Sequence, residues 1–100
     1  MKILKIYAAG EVAIKEIDGT LKSLQAEVGG HTEPVRLFED NNIAVLVNEE
    51  GRLLELPQNQ SISGIRGDVI VVGVKGEDFC DLPENKTDML LRIFKGEQNG

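Results

Sequence analysis

"IAVLVNEEGRLLELPQNQSISGIRGDVIVVGV", residues 43–74, decides the fold. A strand with one face in water alternates apolar and polar residues; a strand covered on both faces does not. "IAVLV" (43–47) and "DVIVVGV" (68–74) show almost no alternation, so both read as central strands of a sheet. Between them, "NEEG" (48–51) reads as a hairpin turn with Gly51 in the left-handed conformation, and "RLLEL" (52–56) as the strand returning beside the first. Leu56-Pro57 then forces an extended approach to a polar loop, because proline restricts the residue before it. That loop holds Gln58, Asn59, Gln60, Ser61, Ser63 and Gly64 and closes through Arg66-Gly67-Asp68. Asn and Ser side chains can bond the loop's own backbone in place of a missing strand ladder. One or two such residues suffice for that, and the surplus marks the loop as a candidate binding element.

Working outward, residues 2–8 and 11–17 are apolar-rich segments flanking Ala9-Gly10, which reads as a hairpin. Asp18 or Thr20 can cap a short helix over 20–28, with Leu21, Leu24 and Val28 on one face. Gly29-Gly30 stops it. Residues 33–38 alternate as a strand, with Pro34 at its start or edge. Towards the C-terminus, Asp81 and Glu84 have the spacing of a capping box, and Pro83 fits a first helical turn. Met89, Leu90, Ile93 and Phe94 share a helical face, Gly96 ends the helix, and residues 96–100 fray. The reading is one α+β domain over residues 1–100. A mostly antiparallel sheet of about five to six strands packs against two helices.

The formal net charge of −6, with no basic block, argues against direct binding to duplex nucleic acid, which draws on Lys and Arg at phosphates. An acidic DNA mimic stays open as an alternative. No apolar run is long enough to span a membrane. Cys80 is the single cysteine, so an internal disulfide is excluded and a cytoplasmic setting is expected. "MKILKIYAAGE" is broken by Lys5 and reads as a first strand rather than a secretory signal.

Catalytic and metal chemistry find little footing. Cys80 precedes the predicted second helix, where a thiolate is stabilised, but a lone Cys is more often a small buried apolar residue, and nothing in the sequence pairs it with His31. The acidic pairs Glu49-Glu50 and Glu77-Asp78 lack calcium-loop spacing, and one His with one Cys cannot complete a zinc site without carboxylates. No cofactor and no metal are expected. "VGG" follows a helix, so it reads as a helix stop rather than a phosphate loop. Arginines hold more interest. Arg36 lies in a predicted strand, and Arg52 and Arg66 flank the polar loop. Guanidinium groups grip phosphate or carboxylate in bidentate fashion. The plain alternative is that each pairs with a nearby acid such as Glu33, Glu50 or Asp68.

The segments "LQAEVGGHTEPVRL", "VLVNEEGRLLELPQNQ", "GDVIVVG" and "EDFCDLPEN" together resemble a small family of domains of unknown function found mainly in phages and bacterial mobile elements. The matching residues are Gly29, Gly30, Glu33, Asn48, Glu49, Gly51, Asn59, Gly67 and Asp68, within a resemblance running from about Leu24 to Glu84. It implies a phage or mobile-element setting and brings no activity with it. In that setting the expected function is that of a non-catalytic binding protein, an accessory or anti-defence factor acting by occupancy. Its expected partner is a small anionic or nucleotide ligand, or a host protein. The candidate contacts are Glu33, Arg36, Asn48, Arg52, Asn59, Gln60 and Arg66. Two alternatives stand beside it: a small hydrolase or transferase using Glu33 or Asp68 as base, and a structural interaction domain. A homodimer or higher homo-oligomer formed through sheet edges near residues 2–8 or 33–38 is also expected.

Overall fold

The computed structural model describes residues 1–95. The chain runs β1 (Lys2–Ile6), β2 (Val12–Glu16), α1 (Leu21–Val28), β3 (Thr32–Val35), β4 (Ile43–Asn48), β5 (Val69–Lys75), β6 (Asp78–Cys80) and α2 (Glu84–Lys95). Six strands form one sheet in the order β2-β1-β5-β4-β3, with β6 also paired to β5, and every pairing is antiparallel. The fold is α+β.

The unbroken apolar runs have the expected cause. Ile43, Val45, Val47, Val69 and Val71 point to one core with Leu4, Ile6, Ile62, Leu82 and Leu90. Leu46, Ile70 and Val72 point to the opposite core with Ile3, Leu24 and Val28. Helix α1 therefore covers one face of the sheet, while α2 and the 49–67 connection cover the other. Each fully buried Val, Leu or Ile contributes about 1.5–3 kcal/mol, so two-sided burial makes β4 and β5 the anchor of the molecule.

Helix α1 starts and stops where expected. The Thr20 hydroxyl accepts from Ser23 N, and Gly29 is left-handed with its N–H donating to Gln25 O. Its face is narrower than predicted, because Leu21 lies in solvent while Leu24 and Val28 are buried. Helix α2 departs further. Asp81 does not cap it; its carboxylate accepts from Lys2 N at 2.9 Å and ties the chain to β1. Pro83 O takes the first helical N–H, from Thr87. The buried positions are Thr87 and Leu90, with Phe94 half-buried against Phe38, and Ile93 faces out. The predicted end at Gly96 and the frayed residues 96–100 lie outside the described residues.

Four further expectations are corrected. Residues 2–8 are not an edge, since β1 lies between β2 and β5. The 33–38 strand is shorter, Thr32–Val35, and is an edge. "RLLEL" is not a strand. Leu54 N bonds Glu50 O, Leu56 N bonds Gly51 O and Glu55 N bonds Arg52 O. These bonds make one helical turn closed by a Schellman arrangement, with Glu55 left-handed (φ 54) where glycine usually stands. Gly51 is not left-handed; it is needed because a Cβ there would stand 3.0 Å from Arg66 O. Two adjacent apolar residues, Leu53 and Leu54, look the same in sequence whether they pair in a sheet or ride on a helical turn.

Candidate functional site

The connection from Glu49 to Gly67 leaves the sheet at the end of β4 and returns at the start of β5, folding over one sheet face. Its second half is built on Asn59, which is 2% exposed. The Asn59 amide donates to Ile6 O (3.3 Å) and Gly67 O (3.0 Å), and its oxygen accepts from Ser61 N (2.9 Å) and Ile62 N (3.1 Å). Gln58 Nε2 is within 3.3 Å of the carbonyls of Asn59, Ile62 and Ile65. Gln60 N donates to Ala8 O, while the Gln60 side chain lies in solvent. Two of the three amides thus do the work of a strand ladder, and the surplus that drew attention in the sequence is smaller than it looked. Asn59 is closed to any ligand by burial and by full use of its amide.

The first half behaves differently. A concavity of about 390 Å³ opens between Glu33 and Val35 on β3, Val47 and Asn48 on β4, the turn Glu49–Leu53, and Gly64–Arg66. Glu33 stands opposite Val47 and two residues before Val35, which pairs with Val45; alternation puts it on the sheet face that the connection covers. Beside this lies a second, more open hollow lined by Arg52, Glu55, Gln58, Gly64 and Arg66. Arg52 and Arg66 belong to both. Arg66 Nη1 donates to Leu56 O at 3.0 Å, which fixes its stem and leaves other N–H groups free. Among the described residues, neither Arg52 nor Arg66 nor Arg36 forms a salt bridge. Asp68, one of the acids offered as a partner for these arginines, instead accepts from Ala8 N (2.8 Å) and sits 3.5 Å from Lys5 Nζ.

The structure therefore gathers Glu33, Asn48, Arg52 and Arg66 around one hollow. Asn48 borders it, but its buried side chain turns to the α1 face, donating to Val28 O and accepting from Glu50 N, so its amide is spent on the fold. Arg36 lines a separate hollow of about 340 Å³ with Leu37, Phe38, Asp40 and Ile43. Two residues of the site stand outside the expected contacts, Glu55 entirely and Gln58 expected only as part of the polar loop. Glu55 and Gln58 line the open hollow with the arginines. Glu55 carried no signal, because its left-handed backbone appears only once the helical turn is seen.

Other chemistry is poorly placed. Cys80 is opposite Gly73, which pairs with Ile43, while His31 precedes the residue paired with Asn48; the two lie at opposite ends of β4. Among the described residues, no group of three His, Cys, Asp or Glu side chains is arranged to hold a metal ion. No helix among them is long and apolar enough to cross a membrane. The most buried charges form a cluster on the α1 face. Glu27 accepts from Lys5 (3.1 Å) and Lys15 (2.8 Å), and Lys5 Nζ lies 4.8 Å from the centre of the Tyr7 ring. Burial opposes ionisation of Glu27, but the hydrogen bonds and charges of Lys15 and Lys5 outweigh it and hold its pKa below the usual range. The bond to Glu27 raises the Lys15 pKa in turn.

The residues that carry the family resemblance are mostly builders of this region. Gly29 ends α1, Gly30 and Gly51 permit close approaches to Asn48 and Arg66, Asn59 knots the loop, and Asp68 holds Ala8. No curated protein and no solved structure matches the chain. A family model described as a domain of unknown function, DUF3846, matches residues 1–95, which takes in the N-terminal hairpin as well as the connection. The chain belongs to the DUF3846 family.

Proposed function

We propose that this protein is a non-catalytic binding module that holds a small anionic ligand, of the nucleotide class, between Arg52 and Arg66. The observation that carries the reading is the pair of guanidinium groups lining a shared hollow with no carboxylate partner among the described residues. Arginine forks match phosphate oxygens in geometry and charge. The side-chain oxygen of Gln58, whose nitrogen is spent on the loop, remains as an acceptor for a base or sugar. In the phage or mobile-element setting that the family resemblance implies, such occupancy withdraws a nucleotide signal from a host defence system in the cytoplasm.

Isothermal titration of the full chain against cyclic and linear nucleotides tests this. Heat that disappears in Arg52→Ala/Arg66→Ala supports it; no heat with any nucleotide overturns it. A second reading, blockade of a host protein, is favoured by one observation. Leu53 and Leu54, on the same helical turn, are 77% and 52% exposed, and adjacent ordered leucines in water are the kind of anchor a protein partner covers. Leu54→Ser, which leaves the lining of the hollow untouched, should then remove the biological effect while leaving nucleotide heat unchanged. A retained effect removes this second reading.

A further inference from the structure

We infer that the hollow selects a nucleotide with a guanine base, read by Glu33. This rests on the nucleotide-binding reading above and names the ligand more closely. The charge in the hollow does not suit a bare anion. Two guanidinium groups, of Arg52 and Arg66, share its lining with three carboxylates, of Glu33, Glu49 and Glu50. Among the described residues none of the five is in a salt bridge. Inorganic phosphate placed between the arginines gains their attraction and also meets the repulsion of the acids that share the lining. A ligand that carries negative charge at one end and N–H donors at the other satisfies both sets.

A carboxylate accepts and never donates. It therefore matches the guanine edge, where a ring N–H and the exocyclic amino group lie side by side. On the corresponding edge of adenine, one donor sits beside a ring acceptor, which a carboxylate repels. The apolar lining, Val35, Val47, Leu53 and Ile65, offers a surface for the face of a flat ring. Free glycine or glutamate would bring its charges and nothing to cover that surface.

Glu33 is the reader because of where it stands. Glu49 and Glu50 belong to the turn, whereas Glu33 is fixed on β3 in register with Val47, on the sheet side of the hollow and across from the arginines of the connection. A group held on a strand keeps its position better than one on a loop. Its side chain is exposed and joins no hydrogen bond among the described residues, so its substitution leaves the core untouched.

Titration of the full chain with guanosine and adenosine 5′-monophosphates, and with inorganic phosphate alone, decides the matter. Guanosine monophosphate should bind at least about tenfold more tightly than adenosine monophosphate, a difference of about 1.4 kcal/mol. Phosphate alone should give no measurable heat. Glu33→Gln should bring the two nucleotides to within about threefold of each other, with an unchanged melting temperature. Equal affinity for both bases in the unaltered protein overturns guanine selection and leaves the nucleotide reading standing. Selection that persists in Glu33→Gln overturns the role of Glu33. No binding of any nucleotide, or tighter binding of glycine or glutamate, overturns both readings.

Discussion

The two halves of the 49–67 connection solve opposite problems. Residues 57–67 spend two amides inward: Asn59 and Gln58 hold carbonyls and N–H groups that no strand satisfies, and Arg66 alone reaches the hollow with N–H groups to spare. Residues 49–56 satisfy their backbone with one helical turn and leave side chains over. Among the described residues Arg52 finds no acid, Leu53 and Leu54 face water, and Glu55 accepts a backbone conformation that costs it energy. Amide-rich sequence drew attention to the half that is busy folding. The half that brings Arg52 to the hollow looked like an ordinary strand. Buried polar atoms must be paired, so a polar residue in a covered loop is first a structural part.

Substitutions can break this contrast, and the largest effect belongs to the inward half. Asn59→Ala removes four hydrogen bonds and orphans buried partners, and should lower unfolding free energy by about 3–5 kcal/mol in urea titrations. A loss under about 1 kcal/mol would mean the loop does not depend on Asn59.

Next comes the charge cluster on the other sheet face, which measures what a satisfied charge is worth. Glu27→Gln should cost about 2–3 kcal/mol near neutral pH, because Lys5 keeps only its longer contact to Asp68. The folded pKa of Glu27 is lowered, so its contribution is complete above the unfolded value, about 4.3, and vanishes as pH falls through the folded value. Asp40 behaves alike, through its bonds from Lys86 and Asn42. The unaltered protein should therefore lose stability on acidification below about pH 5, and Glu27→Gln should lose less over that interval. Parallel pH–stability curves for the two proteins would contradict this.

Gly67→Ala should cost about 1–3 kcal/mol, since a Cβ would stand 2.8 Å from Leu56 Cδ1 on a backbone of φ +88. Glu55→Gly should add about 0.5–1 kcal/mol by relieving the left-handed residue, visible as a higher melting temperature. Smallest of all should be Arg52→Ala, within about 0.5 kcal/mol of the unaltered protein in stability, while it removes nucleotide heat. A large stability loss there would place Arg52 among the structural residues and collapse the contrast.

Much of the fold was legible in the residues. Unbroken runs in 43–47 and 69–72 named the two-sided strands, Thr20 and Gly29 bounded α1, and Ala9-Gly10 turned the first hairpin. These are local or periodic signals, written in short windows. The site was legible in part. Arg52, Arg66 and Glu33 were named and meet at one hollow, whereas Arg36 lines another and Asn59 is sealed inside. Spacing along the chain cannot show which side chains a crossover brings together.

By itself the sequence determined how many faces each strand must bury, where α1 starts and stops, and that guanidinium groups stand near an amide-rich loop. Only tertiary structure decided which amides the fold consumes and which arginines it leaves unpaired. The physical reason is that burial and hydrogen-bond pairing are settled by neighbours distant in the chain. Asn59 acquires its role from Ile6 O, and Asp68 is taken from the arginines by Ala8 N and Lys5, partners about fifty to sixty residues away.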